Sequence, residues 1–150
     1  MAKKKKKVGN RNDPFVSFNF RVEIDGIEVF GFQQVDSISN ESEIFEYQEG
    51  GVNNFVHKLV GQTKQSNITL KYGITTDKSM YEWRKLVLNH NIDKAKKNGT
   101  IKLVENGKVL KKWVFYNAWP SKWEAPNLNS MEDSVAVGLL ELAVERIEEK

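Results

Sequence analysis

The residues able to do chemistry are few and scattered. His57 stands beside Lys58, with Glu46 and Glu49 upstream; a histidine could act as a general base, and two carboxylates could divide acid and base roles. No neighbouring residue would orient His57 or supply it with a nucleophile, so it reads as a surface histidine. Glu46 and Glu49, on or beside a strand end, read as partners for a lysine of a neighbouring strand or chain. His90 and Asp93 could hold a metal from one turn, but protein zinc sites take three or four ligands and no third accompanies them. Gly50-Gly51 is followed by Val52 and opens no helix, unlike a phosphate-cradling loop. Neither G-x-S-x-G nor H-E-x-x-H occurs. The expectation is a protein without catalytic residues, cofactor or metal, and not an enzyme.

Two further groups could bind rather than react. Trp119 and Trp123 lie in a segment with Pro120 and Pro126 and could stack on sugar rings, but tryptophan is enriched at protein interfaces, and core or subunit contacts are the stronger reading. The run Lys3 to Lys7 could bind an anionic polymer or surface. With the aromatic strands it keeps a monomeric nucleic-acid-binding β-module as the alternative function. Charge distribution opposes that alternative. The chain of 150 residues carries a net charge of +3, with 23 Lys+Arg and 20 Asp+Glu. Six of those cations, Lys3 to Lys7 and Arg11, fall in the first eleven residues, so the body carries 17 cations against 20 acids. Residues 1–12 therefore read as a basic, flexible tail and 13–150 as a single domain.

No cysteine is present, which removes disulfides, thiolate metal sites and cysteine nucleophiles together. No apolar run approaches the roughly 20 residues of a membrane span, and the lysine run leads into Val8-Gly9-Asn10 rather than the apolar core of an export signal.

The elements that must position these residues are mostly strands. After Asp13-Pro14, Val16, Phe18, Phe20, Val22 and Ile24 alternate with polar residues, a strand with one buried face. Asp25-Gly26 is the dipeptide of a type I′ turn, and Ile27 to Val35 returns as the second strand, apolar on both faces. Asp36 to Ser42 is a turn cluster. Ile44 to Tyr47 and Asn67 to Tyr72 read as the third and fourth strands, separated by about seventeen residues, Gln48 to Lys64, far beyond a hairpin turn. That loop combines Gly50, Gly51 and Gly61 with Val52, Phe55, Val56, Leu59 and Val60, too much apolar surface for a disordered linker. It should order against its own domain or a neighbouring molecule.

Ser79 and Glu82 have the form of a capping box opening a helix of about three turns, with Met80, Trp83, Leu86 and Val87 as its core stripe. Asn89 to Asn98 reads as a polar connection. Thr100 to Val104, an Asn106-Gly107 turn and Lys108 to Ala118 form a second hairpin. Asn117 to Pro126 reads as irregular. In Ser134 to Arg146 the apolar positions change phase, which a bulge near Gly138 or burial on both faces would explain. The fold class is mainly β with one helix: an antiparallel β-barrel or sandwich of about six to seven strands with a flanking α-helix.

Five segments taken in order, DPFVSFNFRVEIDG, FEYQEGG, VHKLVGQTKQSNITLKYGI, MYEWRK and NAWPSKWEAPNLN, resemble the tail tube proteins of contractile phages. That family also supplies inner tubes of phage-tail-like bacteriocins and extracellular contractile injection systems. The lysine run, and Gly138 where a larger residue is expected, depart from it. The resemblance implies a tail-tube β-barrel domain, hexameric rings of identical subunits, and stacking of rings into a hollow conduit for DNA or protein cargo without sequence-specific binding. The implied partners are a surrounding sheath, a baseplate and a tail terminator, with no membrane anchoring. Synthesis in the bacterial cytoplasm and assembly into a phage tail or an extracellular tail-like particle follow. Carried onto this sequence, the inter-ring contact loop includes Glu46, Tyr47, Glu49, Gly50, Gly51, Asn53, Asn54, Phe55, His57, Lys58 and Leu59. Asp13, Phe15, Trp119, Pro120 and Trp123 are further interface candidates.

Overall fold

A computed structural model describes residues 19–29, 32–51, 54–73, 78–128 and 136–150; the tail, Asp13, Phe15 and Asn53 lie outside them. β1 (Asn19–Ile24) and β2 (Ile27–Val29) form the first hairpin. Asp25 and Gly26 both have positive φ, 52° and 75°, as the type I′ turn requires. β2 and β3 (Phe32–Asp36) replace the single second strand expected from sequence: β2 pairs with β1, whereas β3 pairs with β6 (Ile68–Gly73). A register shift between Phe32 and Gln34 lets both Phe32 and Val35 pack against the core although their spacing is odd.

α1 (Ser79–Leu88) leads through a short α2 (Ile92–Ala95) into β7 (Lys97–Glu105) and the 17-residue β8 (Lys108–Glu124). The capping box is not realised. Lys78 occupies the cap position with no side-chain cap hydrogen bond, and its carbonyl accepts the Glu82 N–H at 2.9 Å. The connection expected to be polar contains α2 because Ala95 is buried and its carbonyl accepts the Trp83 indole N–H at 2.6 Å. Satisfying a buried indole fixes that turn of backbone.

The segment from Asn117 to Pro126 corrects the sequence reading, since β8 runs through Trp119 and Pro120 to Glu124. At Asn117 (φ 51°) the strand changes phase, so that burial passes from Phe115 to Ala118 and Pro120. Pro120 is tolerated within a strand because the pairing slips between it and Lys122. Two side chains brace this corner: Asn98 Oδ1 accepts the Asn117 N–H (3.0 Å), and Asn117 Nδ2 donates to Glu145 (2.7 Å).

β9 (Val137–Ala143) is regular, pairing continuously with β6 through Gly138, so no bulge lies there. The interruption comes later, where the chain breaks at Val144-Glu145 and resumes as β10 (Arg146–Glu149) on β8.

The body sheet runs β2-β1-β7-β8-β9-β6-β3, with β10 also on β8. β8 belongs to both halves: its first stretch pairs with β7 and β10 and its second with β9, so the bend at Asn117 folds one half over the other. Val22, Ile24, Ile101 and Phe115 from one half meet Ile68, Leu70, Leu140 and Leu142 from the other, and Trp83 of α1 joins the same cluster. The fold is a sandwich-like antiparallel β structure with a flanking helix, as the sequence indicates, but among the described residues the sheet is open at β2, β3 and β10 and no barrel closes. The ten strands among the described residues exceed the six or seven expected. Sheet-switching splits two long segments, and an unexpected strand lies within the long loop.

Candidate functional site

That strand is the principal correction. β4 (Asn40–Tyr47) and β5 (His57–Gln65) form a separate two-stranded antiparallel sheet, so most of the loop from Gln48 to Lys64 belongs to a hairpin arm. Its signal was weak in sequence. HKLVGQTKQ lacks clean alternation because Gly61 sits next to a register slip opposite Ser42 to Ile44. At roughly 3.4 Å per residue the eight residues of β4 reach about 27 Å. β4 and β5 pack chiefly on each other.

The base of the arm is tied by serines. Ser66 N–H donates to Ser39 O (3.1 Å), Ser66 Oγ donates to the carbonyls of Ser39 (2.8 Å) and Ser37, and Gln65 Nε2 donates to Ser39 O. Ser37 takes a positive φ (70°), which turns the chain out of β3 into the arm. Farther out, the Ser42 and Thr63 hydroxyls are 2.7 Å apart and Lys64 pairs with Glu43 at 2.7 Å. Such polar rungs hold two strands that have no core beneath them.

Toward the tip the arm becomes apolar. Register places Ile44 opposite Val60 and Glu46 opposite Lys58 on one face, and Phe45 opposite Leu59 and Tyr47 opposite His57 on the other. Phe55 meets the His57 ring edge-on at 5.0 Å, Tyr47 lies 6.2 Å from it, and Glu49 approaches His57 Nε2 at 3.7 Å. The Phe45 ring covers Gly61, where a Cβ would come within 2.6 Å of it. Val60 is 83 % exposed, and Ile44, Phe45, Tyr47, Phe55 and Leu59 each expose more than half of their surface. Large exposed apolar patches mark interaction sites. Tyr47, Phe55 and Glu49 are neighbours of His57, and no group of three or more metal-binding side chains occurs among the described residues.

The other interface candidates separate. Pro120 is fully buried in the core. Trp119 is half-buried, opposite Ala143. Trp123 is exposed, donates its indole N–H to Tyr72 Oη at 2.9 Å and meets the ring of Tyr81 of α1 at 5.0 Å, tilted by 59°. Burial holds the Tyr72 hydroxyl above its ordinary pKa, against the smaller opposing effect of the Trp123 bond. Tyr81, absent from the sequence-derived candidates, joins this patch because the β8 extension brings Trp123 beneath α1.

A β body with open sheet edges and a projecting apolar arm defines a class: a structural subunit whose surfaces are completed by other chains. Residues 16–148 match the family model of the T4-like virus tail tube protein gp19, and the chain belongs to that family of structural tube proteins. No curated protein matches the sequence. A chain of the sheath-tube complex of an extracellular contractile injection system, PVC, in its extended state has the same fold, with TM-score 0.78, 23 % identity and 93 % of each chain covered. A chain of the anti-feeding prophage cap, the tube terminating cap, gives 0.79 at 25 % identity, covering all of this chain and 99 % of that one. A chain of the six-fold symmetrised anti-feeding prophage baseplate gives 0.76 at 19 % identity, over 93 % of this chain and 97 % of that one.

Proposed function

We propose that six copies of this chain close into a ring and that the rings stack into the inner tube of a contractile tail or injection system. The exposed apolar arm carries this reading, because a lone subunit leaves that surface in water and a stacked one buries it. The open edges at β2 and β3 complement it: heterologous contacts of one edge with the other close into a ring when the rotation suits, which leaves neither of those edges free. The six-fold symmetry of the baseplate containing a similar fold supports the copy number. The lumen is a conduit for DNA or protein cargo. A sheath surrounds the tube, and a baseplate and a terminator bound its ends, as in the particles whose chains share the fold. The role is structural rather than catalytic. Synthesis is cytoplasmic and the assembled particle extracellular; no helix among the described residues is long and apolar enough to cross a membrane.

The contact residues proposed for stacking are Glu46, Tyr47, Glu49, Gly50, Gly51, Asn54, Phe55, His57, Lys58 and Leu59, with Asn53 between them in sequence. Residues 1–12 are proposed as a tail to the domain 13–150. Negative-stain electron microscopy of the purified protein tests the whole, with rings or tubes as the expected result. Deleting Gly50 to Val60 should leave the body folded, since the core cluster draws nothing from the arm, while abolishing stacking. Long tubes from that deletion would refute the assignment of stacking to the arm.

A further inference from the structure

α1 has two apolar stripes. Met80, Trp83 and Leu86 face the core, which accounts for the helix being where it is. Tyr81 and Leu88, seven residues apart and so on one face, are 42 % and 52 % exposed, and Ile92 at the start of α2 is exposed beside them. Core packing does not explain this second stripe. Around it Lys78, Lys85 and Lys94 are exposed and form no ion pair among the described residues, against Glu82 and Asp93 as the nearby acids. The surface is therefore apolar with an excess of uncommitted cations.

The arm has the opposite character. It bears Glu41, Glu43, Glu46 and Glu49 against Lys58 and Lys64, and of these only Glu43 meets a lysine within ion-pair distance, Lys64. Its apolar tract from Phe45 to Tyr47 spans about 7 Å by strand rise, and Phe55 extends it; the helix stripe from Tyr81 to Leu88 spans about 10 Å by helix rise. Size, polarity and charge sign correspond.

We infer that the outer stripe of α1, with Tyr81, Lys85 and Leu88, is the receiving surface for the arm of a second copy of this chain. The inference rests on the tube reading and adds to it the partner surface of the arm. Apolar tract meets apolar tract, and the arm's glutamates approach Lys78 and Lys85, which fixes orientation as well as attraction.

The absence of cysteine allows a direct test. Leu59→Cys and Leu88→Cys are made as separate full-length variants, one enlarged by a fusion tag, mixed and oxidised while wild-type protein under the same conditions is imaged. The expected product is the mixed disulfide between arm and helix, in clear excess over both homodimers and reduced in 1 M salt, where the screening length falls to about 3 Å. Separately, Lys78→Glu with Lys85→Glu should raise the concentration needed for assembly at least about tenfold, and adding Glu43→Lys with Glu46→Lys should reverse much of that. Wild-type tubes without the mixed disulfide and without an effect of the lysine reversals would overturn the inference, leaving the tube reading intact and giving the helix stripe to another occupant such as a sheath. Wild-type protein that forms neither rings nor tubes, and no mixed disulfide, would overturn both.

Discussion

Gly61 and Gly99 both lie under a phenylalanine ring, and replacing each with alanine should separate stability from assembly. At Gly99 a Cβ would stand 2.2 Å from Phe115 Cζ and 2.6 Å from the Glu23 carbonyl oxygen. Phe115 is 1 % exposed and cannot swing away, and the Glu23 carbonyl is fixed by the β1–β7 ladder. Overpacking of this kind costs about 3 kcal/mol, the upper end for an inserted methyl because a backbone atom is among the clashes. The conformational gain from removing a glycine returns at most about 1 kcal/mol. A net loss of about 2 kcal/mol should lower the melting temperature by about 4 to 8 °C for a domain of this size.

At Gly61 the clash is nearly as close, 2.6 and 2.9 Å, but the obstructing Phe45 ring is 58 % exposed and attached to an arm that contributes nothing to the core cluster. The ring can rotate into solvent. Gly61→Ala should therefore leave the melting temperature within about 2 °C of the parent while disrupting the aromatic face proposed for stacking. Thermal denaturation with negative-stain counting of tube length reads both quantities on each variant. A Gly61→Ala protein that makes tubes of normal length would refute the argument that the Phe45 face is a contact surface. A Gly99→Ala protein as stable as the parent would refute the packing argument for the corner beneath Phe115.

Tyr72 gives a prediction at alkaline pH. Its folded pKa lies above that of a free tyrosine because burial disfavours the anion, so its contribution to stability is complete below about pH 10 and is lost as pH rises through the higher folded value. Melting curves from neutral pH to about pH 11 should show a shallower alkaline decline for Tyr72→Phe than for the parent, relative to each protein's own neutral value; equal declines would show that Tyr72 titrates as a free tyrosine. Asn117→Ala should destabilise by about 1 kcal/mol or more, because alanine pays for a left-handed backbone that asparagine tolerates. Asn117→Gly should relieve that strain but still lose the bond to Glu145. That bond, more than the nearby Lys96, holds the Glu145 carboxyl below the usual carboxylate range. Its contribution is present above the unfolded pKa and is lost as pH falls through the folded one, so the gap between parent and Asn117→Gly in chemical denaturation should narrow in acid.

Much of the body was legible in the chain itself. Alternation from Phe20 to Ile24, the Asp25-Gly26 and Asn106-Gly107 turns and the core stripe of α1 are local signals, each specified by residues a few positions apart, and each appears in the structure. The ordered segments that resemble tail tube proteins also indicated the family that the match over residues 16–148 establishes. The apolar content of residues 48–64 showed that this stretch must cover or be covered by something, but not that half of it is a strand. β5 exists because β4 lies alongside it, and a slip in that pairing hides its alternation.

Tertiary structure alone decided the remainder. β2 and β3 separate, and β8 continues past Asn117, because each segment finds a different partner strand on either side of its break. Trp123 and Tyr81, 42 residues apart in sequence, meet only because α1 packs across β8. Composition and periodicity fix which residues seek burial and over what local repeat. Which surfaces remain uncovered depends on long-range pairing, and in this chain it leaves the apolar tip of the arm and the outer stripe of α1 exposed.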